Sequence, residues 1–99
     1  MIYRLRVGYK ASVHSVEQLF VSCEVAAEIV PQVGDSIGLR YVSDRGTEIC
    51  FLRVQQVTHY PHVKTEILAV GSNQYPGERV IEQITAPNNP YRVGHWIVN

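Results

Sequence analysis

The odd-numbered positions at the start of the chain are apolar or aromatic, Tyr3, Leu5, Val7 and Tyr9, and between them stand Arg4, Arg6, Gly8 and Lys10. A period of two is that of a β-strand, so the odd residues are assigned to a core and the basic ones to solvent or a partner. Residues 11–15 read as a turn. Residues 16–30 satisfy two periods. On a helix, Val16, Leu19, Phe20, Cys23, Ala26, Ala27 and Val30 gather on one side, with Ser15 and Gln18 able to form a capping box. On a strand, Leu19, Val21, Cys23, Val25, Ala27 and Ile29 alternate with Ser22, Glu24 and Glu28. Extended structure is favoured: the helix would turn Val21, Val25 and Ile29 to water, the segment is rich in β-branched residues, and no glycine C-cap precedes Pro31.

Proline, glycine and aspartate in Pro31-Gln32-Val33-Gly34-Asp35-Ser36-Ile37 predict a tight turn that launches a third strand, in which Ile37, Leu39 and Tyr41 alternate with Ser36, Gly38 and Arg40. Ser43, Asp44, Arg45 and Gly46 predict a hairpin connection into a long strand over residues 48–58. That strand is apolar on both faces at its start, a pattern expected of a strand buried on both sides or bent over a barrel corner. His59-Tyr60-Pro61-His62 interrupts it, and residues 63–70 resume, with Val63, Thr65, Ile67 and Ala69 sharing a face. Beyond Gly71 the turn-formers Ser72, Asn73, Pro76, Gly77, Pro87, Asn88, Asn89 and Pro90 leave two short pieces. Residues 78–84 have helical spacing in Val80, Ile81 and Ile84, and residues 91–98 are anchored by Trp96. Both are expected to cover a sheet edge or an open end. The pattern predicts one mainly β domain: a small SH3-like or related antiparallel β-barrel of about five strands over residues 1–70, with a C-terminal appendage over 71–99 that has room for a single helix.

The run from Pro31 to Ile37, followed by Phe51-Leu52-Arg53-Val54-Gln55-Gln56-Val57-Thr58-His59, resembles a pattern of small bacterial and phage β-barrel proteins. In these a proline and a glycine-aspartate turn precede one strand, and the next carries valines three apart and ends in histidine. The matching positions are Pro31, Val33, Gly34, Asp35, Ile37, Val54, Val57 and His59. The resemblance covers roughly a third of the chain and implies a fold, that of SH3-like or related open barrels. Their functions range over partner binding and nucleic-acid binding, so it carries no functional residue across.

Composition narrows the function classes. With 99 residues, 45% hydrophobic and 18% charged, the chain is neither a disordered tail, a collagen-like fibre nor a charged linker. Nine basic and nine acidic side chains cancel, which removes the long-range field of a typical nucleic-acid binder and leaves room only for a local basic face. Two cysteines outside any Cys-x-x-Cys pair, the lack of a leader pattern and the absence of an apolar run near 20 residues lead to the expectation of a soluble, cytoplasmic protein.

His59 and His62, with Cys23 and Cys50 as partners in space, fall short of the three or four converging ligands that zinc requires, so no metal or cofactor is expected. Cys23 and Cys50 fall in strand patterns that suit a buried small hydrophobe, and no nucleophile elbow, phosphate loop or dinucleotide fingerprint occurs; no catalytic residue is assigned. Two binding surfaces remain. Arg4, Arg6 and Lys10 share a face, Arg40 and Arg53 are expected on neighbouring strands, and Tyr41 or Tyr60 would supply rings for base stacking. Tyr60, His62 and Tyr91 instead decorate loops of the kind that present rigid aromatics to a protein. The expectation is a non-enzymatic interaction module for protein–protein recognition, self-association as a homodimer included. The alternative is single-stranded nucleic-acid binding through the basic face of the first strand.

Overall fold

The computed structural model describes residues 1–12, 14–71 and 77–98. Val13, residues 72–76 with the turn-formers Ser72, Asn73 and Pro76, and Asn99 lie outside the described residues. The alternating segments form strands β1 (Ile2–Tyr9), β2 (Leu19–Ala26), β3 (Ser36–Ser43), β4 (Gly46–Thr58) and β5 (Glu66–Gly71). Helix α1 (Glu78–Thr85) and a two-residue strand β6 (Ile97–Val98) complete the fold.

The ambiguous segment resolves as a strand because β2 lays Val21 and Cys23 opposite Val7 and Leu5 of β1, burying all four on one face. Each fully buried aliphatic side chain of this kind contributes about 1.5–3 kcal/mol. The strands run in the order β3-β4-β5-β1-β2-β6 and curl into a half-barrel. Among these six strands every pairing is antiparallel except that of β1 with β5. Since β2 occupies one side of β1, β5 takes the other, and the β4–β5 reversal brings it in running the same way as β1.

The concave side holds the core: Tyr3, Leu5, Val7 and Tyr9 from β1, Val21, Leu39, Tyr41, Leu52, Val54, Ile67 and Ala69 from the other strands. Ile81 and Ile84, three apart on α1, close it from the open side. The turn into β3 is built as its residue types require. Gly34 takes φ of 93°, the Asp35 carboxylate accepts from the Gln32 amide at 2.8 Å, and the Gly34 amide donates to Val54 at 3.0 Å.

Two expectations for β4 and β5 are corrected. The outer face of β4 is not buried. Phe51 is 60% exposed and lies over Gly38 on β3, where an added Cβ would stand 3.6 Å from its ring. A bulge between Val54 and Gln56 then changes which side chains point inward, so that Val57 packs against the core. The fifth strand starts only at Glu66. Pro61 and His62 occupy the corners of a β-turn closed by the Val63 amide on Tyr60 at 3.4 Å, which takes exposed Val63 out of the ladder.

The C-terminal segment crosses the opening between the two ends of the sheet. The buried Asn89 side-chain amide donates to the Arg40 carbonyl on the outer edge of β3 at 3.1 Å and to the Ile84 carbonyl of α1 at 2.9 Å, while its oxygen accepts from the Tyr91 amide at 3.1 Å. Trp96 packs against the core, and Ile97 and Val98 pair with Ser22 and Val21.

Candidate ligand groove

The outer face of β1 carries Arg4 and Arg6, as the alternation predicts. In register, Arg4 stands opposite Glu24 on β2 and Glu66 on β5. The turn with Tyr60 and His62 overhangs this place. Its His62 has φ of 70°, a left-handed conformation that glycine or asparagine adopts more readily, so the side chain is held in a backbone shape that costs energy. His59 is tied to Thr65 through Nδ1 and Oγ1 at 3.1 Å, which secures the strand just before the turn.

Between turn and sheet lies a cleft of about 580 Å³ lined by Arg4, Glu24, Tyr60, His62, Val63, Lys64 and Glu66. A second hollow of about 360 Å³, on the β6 side, is lined by Arg4, Ser22, Cys23, Glu24, His95 and Ile97. Arg4 and Glu24 line both, so the two hollows meet at these side chains and make an interrupted groove over β5, β1, β2 and β6.

The charges in the groove are interleaved. Lys64 donates to Glu24, and Arg6 reaches Glu66 at 3.4 Å while its guanidinium lies 4.2 Å from the Phe20 ring centroid. The Lys64 hydrogen bond and charge hold the Glu24 carboxyl below its ordinary 4.5 against an opposing desolvation, with a lesser contribution from the charge of Arg4. The Arg4 side chain itself makes no ion pair or hydrogen bond among the described residues.

Of the side chains singled out from the sequence, Arg4, Tyr60 and His62 meet in this groove. Arg6 lies one rung along, and Lys10 ends its strand in a bridge to Gly77. Arg40 and Arg53 do not adjoin this face, contrary to expectation. β5 separates β4 from β1, and β3 is one strand further still. Tyr91 lies beside Arg40, 5.9 Å from ring centroid to guanidinium, at the far edge of the sheet. Tyr41 is buried in the core and offers no ring for stacking.

The sequence alone does not single out Glu24, Glu66, Lys64, Val63 or His95 as groove residues. The even-position parity of Glu24 and Glu66 matched that of Arg4, but the register that aligns them is not written locally. Among the described residues no three His, Cys, Asp or Glu side chains converge to hold a metal ion. Cys23 is a buried free thiol. Among the described residues no helix is long and apolar enough to cross a membrane. Comparison with protein-family models, curated proteins and solved structures finds no match.

Proposed function

We propose that the protein is a non-enzymatic recognition module that binds a segment of a protein in the groove over β5, β1 and β2. The observation that supports this reading is the interleaving of charge. Glu24 and Glu66 flank Arg4 on both sides, so a phosphodiester chain laid on Arg4 would bring its neighbouring phosphates against carboxylates. A polypeptide, whose backbone is neutral, meets no such opposition. Two free thiols suit a reducing cytoplasm as its location. A second copy of the chain counts among such partners, and sedimentation velocity over a range of concentrations reports it.

A photo-crosslinking amino acid at Tyr60, introduced in the producing cells, is expected to capture a discrete protein in a nuclease-resistant adduct, whereas the same group at the exposed Val16 captures none. A labelled single-stranded oligonucleotide is expected to show no retention at low salt. Retention that weakens steeply with salt and is lost when Arg4→Ala and Arg6→Ala are combined, without a protein adduct at Tyr60, would transfer the function to nucleic-acid binding.

A further inference from the structure

We propose that the groove selects an extended peptide carrying one acidic side chain, and that Arg4 receives that carboxylate. This rests on the protein-recognition reading of the same groove and names the chemistry it selects.

The argument starts from the ions present. The lining holds two cations, Arg4 and Lys64, and two carboxylates, Glu24 and Glu66, and Arg6, one rung outside it, adds a third cation paired with Glu66. Arg6 is committed to Glu66 and Lys64 to Glu24. The positive charge left over therefore sits on Arg4, in register between both carboxylates and on the wall common to both hollows. One incoming carboxylate completes a balanced row of alternating charge; a second would have to sit against Glu24 or Glu66. Guanidinium is also the suited receptor, because its planar fork offers parallel N–H donors to both oxygens of a carboxylate.

The shape of the groove sets the rest of the ligand. From β5 to β6 it crosses four strands, a span of about 14 Å at the usual spacing, which is four to five residues of extended chain. Alternate side chains of such a segment point the same way, so an acidic residue over Arg4 sends its neighbours two positions away toward the ends of the groove. Those ends are apolar at Val63 on one side and at Ile97 on the other. The fitting pattern is an acidic residue with an aliphatic residue two places before and two places after. Arg4 lines both hollows, so a segment that fills the two passes over it and the carboxylate comes from a side chain.

The test is an amide NMR titration of the full chain with three peptides: acetyl-Val-Ser-Glu-Ser-Val-amide, its Gln counterpart, and the Gln peptide with a free C-terminal carboxylate. The Glu peptide is expected to shift the Arg4 side-chain resonance and the amides of residues 22–24 and 62–66, and to bind about tenfold more tightly than the Gln amide. Arg4→Gln, with the rest of its spectrum unchanged, is expected to abolish that preference, and Arg4→Lys to keep part of it. Equal binding of the Glu and Gln amides, or a preference that survives Arg4→Gln, overturns the proposal while leaving the groove a peptide site. Tightest binding by the free C-terminal acid overturns it in favour of chain-end recognition. If none of the three binds while Tyr60 still crosslinks a protein, the acidic-segment proposal fails and the recognition reading stands; if the adduct is missing too, both fail.

Discussion

Asn89 joins three parts of the molecule through one side chain. Both hydrogens of its amide are used, one on the edge of β3 and one on the last turn of α1, and its oxygen fixes the backbone of Tyr91. Removing the side chain would leave carbonyls at a buried junction without partners. Asn89→Ala is accordingly expected to lower the free energy of unfolding by about 2–3 kcal/mol, read from a denaturant titration, and Asn89→Asp to cost at least as much by setting a carboxylate against two carbonyls. None of this was legible in Asn88-Asn89-Pro90-Tyr91, which reads as a loop that presents an aromatic ring. The meaning of residue 89 depends on residue 40, and no local pattern states that. Cys23 shows the opposite case: its place in an alternating run predicts burial, and it is buried. Burial also pushes its thiol up to about 12 from an ordinary 9.0. The unfolded thiol then ionises first, so the stability gained by keeping Cys23 neutral is complete below about pH 9 and is lost between there and about 12. Unfolding measured across that window is expected to show a shallower decline in Cys23→Ala than in the parent chain.

Among the elements, the strands were the most legible and the C-terminal segment the least. β1 was plain in its alternation, whereas residues 16–30 favoured a strand without excluding a helix, and the strand that forms spans Leu19–Ala26. The start of β5 was misplaced because Val63 and Thr65 keep the rhythm of two, while the turn at Pro61 and His62 takes Val63 out of the ladder and leaves Thr65 joined to β1 through its carbonyl, which accepts from the Arg4 amide at 2.9 Å. In α1 the spacing of Ile81 and Ile84 pointed correctly to a helix. The docking of the segment that follows depends on Gly94. A Cβ there would lie 2.5 Å from the carbonyl oxygen of Glu24, a backbone atom that cannot step aside. Gly94→Ala is therefore expected to lift this segment from β2. The readout is fluorescence of the one tryptophan, Trp96, with emission moving to longer wavelength as the ring leaves the core, together with a lower melting temperature.

At the scale of the whole molecule, the sequence conveyed a small curled sheet with its basic residues outside, and did not convey the order of its strands. That order decided the candidate site. It divided the expected cluster of arginines, sending Arg40 and Arg53 toward one end of the sheet, and it brought the turn at residues 60–63 over Arg4. Strand order is fixed by which backbones find each other across long stretches of chain, and the alternation that marks a strand is the same whichever neighbour it has. The parallel union of β1 and β5 also bears on how the protein is made. β1 is an interior strand of the finished sheet, and the neighbour on one of its flanks is synthesised some sixty residues later. A nascent chain must therefore keep that flank from straying into contacts with other polypeptides until residue 71 has emerged, so the protein is most exposed to aggregation while it is being translated.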